Sequence, residues 1–193
     1  MADEKRIRTF LAIDLSDEVR GELAAIQRRL KSALEGVRWT RPEGIHLTLK
    51  FFGDIDNDAI GSIADIVEKR TKGFGPLSLA MGAMGAFPNL GRARVLWLGL
   101  EGEIEKLASL QESMEDDFEV LGFVKETRSF KPHLTLGRAR SSRGMITGLR
   151  EAMESIRYEN QSPFSAEGLT LFKSDLAPGG AVYTKLAYFS FGG

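Results

Sequence analysis

Only two histidines occur in this chain of 193 residues, and each begins the same tetrapeptide. His46 opens His-Leu-Thr-Leu at residues 46–49, and His133 opens it again at residues 133–136. In an extended strand alternate side chains share a face. His46 and Thr48 then point one way while Leu47 and Leu49 point the other, and His133, Thr135, Leu134 and Leu136 repeat the arrangement. Each strand offers an imidazole and a hydroxyl about 7 Å apart along the backbone, a span suited to gripping a tetrahedral anion. An imidazole pKa near 6.5 lets one ring be neutral while the other is protonated. The first can take a proton from water and the second can give one to a departing oxygen, each role being worth about 10²–10⁴-fold. The threonine hydroxyls can donate to non-bridging phosphate oxygens, and a nearby cation can offset charge in the transition state. Hydrolysis of a phosphodiester by paired acid–base catalysis is the chemistry these residues fit.

A single His-x-Thr in a strand is ordinary packing, because threonine favours strands in any case. Two copies holding every histidine of the chain call for another explanation. Other residues then become candidates by position. Lys50 has the parity to share a face with His46 and Thr48. Arg138 has the wrong parity for a regular strand, and reaches that face only if the chain bulges or ends near Gly137. Phe10, Phe51, Phe52, Trp97, Phe130 and Phe172 lie in or beside apparent strands, where core packing is the default. One or two of them, Phe10 among the candidates, could instead line a cleft and stack a nucleobase. Trp39, between Arg38 and Arg41, is a further aromatic candidate. Arg6, Arg8, Arg92, Arg94, Arg138, Arg140 and Arg143 could rim a path for a phosphate backbone.

Competing chemistries find less support. With no cysteine, disulfides, thiolate-bound zinc, iron–sulfur clusters and thiol nucleophiles are excluded, and the composition fits a reducing cytoplasm. Two histidines lack a motif-spaced third ligand for zinc, so neither a metal nor a cofactor is expected. Asp54, Asp56 and Asp58 imitate the start of a calcium loop, but Ala59 stands where glycine is required and Asp65 replaces the closing glutamate. No nucleophile elbow, Walker A loop or dinucleotide fingerprint is present. Asn160-Gln-Ser162 matches a glycosylation sequon, which has no meaning without a secretory route, and the N-terminal residues form no secretory leader. No apolar run approaches the roughly 18 residues that span a membrane. The net charge of −1 confines any polyanion contact to a local patch.

Elements must place the two tetrapeptides. Apolar periodicity predicts strands over 7–15, 37–41, 45–52, 77–85, 93–101, 132–138, 164–172 and 181–191. Helices are predicted over 17–35, 58–71, 103–121 and 144–157, the first with Ser16 as N-cap and Gly36 as its stop. This alternation predicts an α+β fold with largely antiparallel sheets. An internal repeat runs through it. The tetrapeptides are 87 residues apart, and the same offset relates Pro76-Leu-Ser to Pro163-Phe-Ser, Phe10-Leu-Ala-Ile-Asp to Trp97-Leu-Gly-Leu-Glu, Val95 to Val182 and Arg41 to Arg128. Residues 1–193 are therefore expected to form one bilobal domain of two pseudo-symmetric β-α-β-α-β units. Two sheets flanked by helices would face each other across a central cleft, with the histidines on opposite walls.

At these residues the sequence resembles the two-histidine (2H) phosphoesterase superfamily, and most closely its LigT-like branch of RNA 2′,3′-cyclic phosphodiesterases, also called 2′-5′ RNA ligases. RTFLAIDL is similar to the family's opening strand, HLTLKFFGD to its first motif, ARVLWLGL to its central strand and KPHLTLGR to its second. The resemblance implies a bilobal pseudo-twofold fold, no required metal, and opening of an RNA or nucleotide 2′,3′-cyclic phosphate to a 2′-phosphomonoester. It implies His46 and His133 as the catalytic pair, and Thr48, Thr135 and Arg138 as phosphate ligands. Lys50 rests on strand parity alone. Joining or cleaving 2′-5′ RNA linkages is the alternative activity, and a non-catalytic RNA-end binding module the alternative class. A cytoplasmic monomer is expected, with the two tetrapeptides too alike to say which histidine is base and which acid.

Overall fold

The computed structural model describes residues 6–141, 144–155, 163–177 and 180–192. Strands and helices alternate in the predicted order: β1 (Ile7–Ile13), α1 (Asp17–Lys31), β2 (Val37–Trp39), β3 (Leu47–Ile55), α2 (Ala59–Thr71), β4 (Leu77–Phe87), β5 (Val95–Gly102), α3 (Ile104–Val120), β6 (His133–Ala139), α4 (Leu149–Ser155), β7 (Phe164–Ala166), β8 (Gly168–Ala177) and β9 (Gly180–Ser190). The predicted strand over 164–172 is two strands, because β7 pairs with β4 while β8 pairs with β1 and β9. The end of the helix predicted over 144–157, together with Arg143 and the sequon at Asn160, lies outside the described residues.

Helix α1 shows how local signals act. The Ser16 hydroxyl accepts from the Val19 amide at 3.3 Å, Asp17 and Glu18 sit in the first turn, and Arg28, Arg29 and Lys31 in the last. Val19, Leu23, Ile26 and Leu30 face the core. The helix ends at Lys31 rather than residue 35. Gly36 still turns the chain, with φ of 73°, and a Cβ there would lie 2.7 Å from the Met145 carbonyl oxygen.

The strands join in one antiparallel sheet of order β7-β4-β5-β6-β3-β1-β8-β9, with β2 added beside β6. Two sheets were predicted; they are continuous through a single pair, Leu47↔Leu134. These are equivalent leucines of the two tetrapeptides, 1% and 0% exposed, and burying both in a common core brings their backbones together. About this join the strand order is mirrored under the 87-residue offset, β6 answering β3, β5 answering β1 and β4 answering β8. The buried apolar residues of α1, α2, α3 and α4 belong to one core cluster with Leu11, Ile13, Leu47, Leu98 and Leu134. That fixes the helical face of the sheet and leaves His46, Thr48, His133 and Thr135 on the other, which we call the open face.

Candidate active site

The histidines stand one residue before the paired leucines. Continuing that antiparallel register by one step sets His46 against Thr135 and Thr48 against His133. It leaves the two histidines diagonal to each other across the join. His46, Thr48, His133 and Thr135 are all half-buried. Each imidazole is anchored alike, with Nδ1 bonded to a backbone carbonyl two residues upstream: Gly44 for His46 at 3.0 Å and Lys131 for His133 at 2.6 Å. A carbonyl can only accept, so Nδ1 carries the proton and Nε2 keeps a free lone pair.

Aromatic rings set the depth of each imidazole. Phe10 stacks on His46 with centroids 4.5 Å apart and planes at 26°, while Tyr183 meets His46 edge-on at 5.1 Å. Phe172 lies behind Phe10 at 5.1 Å. Burial pushes the His46 pKa down to about 4, and Arg138 and Arg20 push the same way. Opposing them are the Gly44 carbonyl and the negative charge of Asp14. Burial works upward on Asp14 itself, but bonds and charge from Lys185 and Arg20 outweigh it and hold the carboxyl below its ordinary range. His133 is less enclosed, with Phe87 edge-on at 5.0 Å and Trp97 at 6.1 Å. Burial and the Arg138 charge lower its pKa too, against the Lys131 carbonyl. One guanidinium, Arg138, therefore lies within the field of both imidazoles.

Arg138 reaches that position through a bulge. Along β6, Thr135 pairs with Trp97 and Gly137 with Leu96, so Leu136 is an extra residue. Beyond it the faces exchange: Gly137 takes the core side, and Arg138 joins Thr135 on the open face. Strand β3 bulges at the equivalent residue, Leu49, since Ala12 pairs with Thr48 and Leu11 with Lys50. The same exchange corrects the expectation for Lys50. Its side chain turns to the helical face, buried, bonding Glu115 at 2.6 Å and the Val124 carbonyl at 2.7 Å. The open-face slot of β3 that corresponds to Arg138 belongs instead to Phe51, 48% exposed and covered on one ring face by Arg8 at 4.5 Å.

The halves also differ beside the histidines. Trp97 corresponds to Phe10, and Gly85 to Phe172. The Trp97 indole fills the space over Gly85, where a Cβ would lie 2.3 Å from Cζ2. A large residue beside a glycine thus does the work of two phenylalanines. The β5–β6 register slips by two residues relative to β1–β3, which preserves the faces. Trp39, offered above as a stacking candidate, packs toward the core with Lys31 over its ring. Phe52 likewise packs against Phe118 and Phe123. Sequence reasoning missed Tyr183, Phe87 and Asp14 at the histidines. Asp14 alone carried a signal, as the acid that ends the opening strand. Among the described residues no three of His, Cys, Asp and Glu gather into a metal-binding group, and no helix is long and apolar enough to cross a membrane.

Twin His-x-Thr strands meeting on the open face of a helix-backed antiparallel sheet mark the two-histidine phosphoesterase class. The chain belongs to the LigT-like phosphoesterase family, whose model matches it twice, over residues 13–97 and 98–183. It is 35% identical to an RNA 2′,3′-cyclic phosphodiesterase of Methanothermobacter thermautotrophicus, covering 95% of this chain and 98% of that relative. Identity to the Thermotoga maritima protein of the same name is 31%, with 97% of each covered. Among solved structures, the TT0787 protein of Thermus thermophilus superposes with a TM-score of 0.79 at 27% identity, covering 96% of this chain and 98% of that one.

Proposed function

We propose that this chain hydrolyses the 2′,3′-cyclic phosphate at RNA ends to a 2′-phosphomonoester, with His46 and His133 as the acid–base pair. The observation that carries this reading is the matched anchoring of the two imidazoles. Both are held through Nδ1, and both stand within the field of one arginine, in a chain whose relatives bear the name of this activity. One Nε2 takes a proton from water as it attacks phosphorus, and the other ring, protonated, gives a proton to the departing 3′-oxygen. At rest both rings favour the neutral form. The bound phosphate anion supplies the charge that stabilises an imidazolium, so the acid is loaded as substrate arrives. Thr48 and Thr135 donate to the non-bridging oxygens, and Arg138 offsets charge as the pentacoordinate state forms. Phe10 does not touch substrate in this scheme, since its ring is spent in orienting His46.

The cleft is the open face, curled about the Leu47–Leu134 join of two β-α-β-α-β units. In this scheme one chain provides every proton-transfer and phosphate-binding group, the reaction uses no metal, cofactor or second copy, and the protein acts as a cytoplasmic monomer. The test is turnover of a defined RNA 2′,3′-cyclic phosphate by the wild-type protein and by His46→Ala and His133→Ala, with identification of the product isomer. Each substitution should cost at least about 10²-fold in kcat, in the presence of chelator as in its absence. Near wild-type turnover by either variant, or a 3′-phosphate product, would overturn the proposal.

A further inference from the structure

Arg38 stands directly opposite Arg138. Strand β2 pairs with β6 in the register Val37↔Ala139, Arg38↔Arg138 and Trp39↔Gly137. Val37 is buried and Trp39 packs on the core, so Arg38, between them, projects from the open face beside Arg138. Both guanidiniums are exposed. Like charges placed directly opposite on one face of a sheet repel. Neither arginine has a carboxylate or other hydrogen-bond partner among the described residues, whereas Arg20, Arg70 and Arg128 are each bonded to an acid.

The backbone that carries Arg38 is firmly placed. The Thr40 amide donates to the Leu136 carbonyl at 2.9 Å and the Arg140 amide to the Gly36 carbonyl at 2.8 Å. The buried Gln27 amide donates to the carbonyls of Thr40 and Leu136, at 2.8 and 2.9 Å. Gly137 permits this approach, since a Cβ there would lie 2.6 Å from a Val37 methyl. A short strand has thus been fixed where it sets a second guanidinium beside the first, and what settles two such forks is a pair of adjacent anions.

We propose that Arg38 holds a second phosphate of the RNA, the internucleotide phosphate next to the cyclic end, while Arg138 serves the cyclic phosphate. The enzyme is then built for the end of a strand in preference to a free cyclic nucleotide. The inference rests on the hydrolysis proposed above and adds a binding position to it.

Two substrates separate the roles: a short oligonucleotide ending in a 2′,3′-cyclic phosphate, and a mononucleoside 2′,3′-cyclic phosphate, which lacks the second phosphate. Loss of one charge-assisted contact in Arg38→Gln should raise KM for the oligonucleotide about tenfold with kcat little changed. KM for the mononucleotide should move less than about twofold. The salt dependence of oligonucleotide kcat/KM should flatten by about 0.7 in log–log slope, and Arg38→Lys should recover part of the affinity as a point charge. Equal losses on both substrates would place Arg38 on the scissile phosphate, and an unchanged oligonucleotide KM would remove it from the site. Either result overturns the inference while the hydrolysis stands. A wild-type protein that turns over neither substrate would fell the hydrolysis and this inference with it.

Discussion

Lowering the pH from about 7 to about 4.5 should destabilise this protein chiefly through its histidines, and removing His46 should abolish that ring's share of the effect. The imidazole, buried under Phe10 and Tyr183, has its pKa pushed down to about 4, against an unfolded value near 6.5. Above 6.5 both states leave the ring neutral and its contribution is whole. Between 6.5 and 4 the unfolded chain takes up a proton that the folded one refuses, so stability falls as pH falls. Below 4 the folded ring also protonates and the loss levels off. At 1.36 kcal/mol for each unit of difference, the loss from pH 7 to pH 4.5 is roughly 2 kcal/mol. Carboxylates held low, such as Glu126 at about 2 beside Arg128, begin to give up their share near the acid end of this window, as pH falls through their unfolded values, and lose most of it below. Urea unfolding of the wild type and of His46→Ala at both pH values measures the difference, and His133 contributes equally to each. If the two proteins lose the same stability, or if the His46 ring resonances titrate near 6.5, the burial argument is wrong.

Other consequences can be checked with the same protein. Gly85→Ala should drive the Trp97 indole off its seat beside His133, costing roughly 1–3 kcal/mol as overpacking, and kcat/KM should drop by more than thermal stability suggests. Phe10→Ala should cost roughly 3–5 kcal/mol, and by admitting water should raise the His46 pKa toward its ordinary value, as NMR titration would show. Lys50→Ala strands the buried Glu115 carboxylate, at a cost of roughly 3–5 kcal/mol. Lys50→Met with Glu115→Leu should recover most of that in denaturant melts, and kcat should stay near wild type in the double variant because Lys50 faces the helices.

Much of the architecture was legible because it follows from local periodicity. The alternation of His46-Leu47-Thr48-Leu49 decides which side chains share a face wherever the strand lies, and Leu47 and Leu134 are buried as the pattern requires. Helix α1 could be read from Ser16, its acidic first turn and its apolar stripe. The 87-residue offset predicted equivalent strands, and the family model matches two successive segments of the chain. What local pattern does not carry is hydrogen-bond register with a strand far away in sequence. Lys50 and Arg138 show the consequence, since strand parity favoured the first and disfavoured the second. Bulges at Leu49 and Leu136, each defined only against the neighbouring strand, exchanged them.

The residues around the histidines divide in the same way. From the sequence by itself came the two His-x-Thr faces, the leucines behind them, the α+β order of elements and the residue types that phosphodiester chemistry needs. These depend on side-chain chemistry and on the strand period of two, which any short segment displays. Only the tertiary structure decided that one leucine pair joins the halves, that Phe51 and Arg138 occupy matching slots, that Trp97 over Gly85 replaces two phenylalanines, and that Arg38 faces Arg138. Each of these is a relation between segments brought together by a shared core, and its energy lies in contacts that no single segment contains.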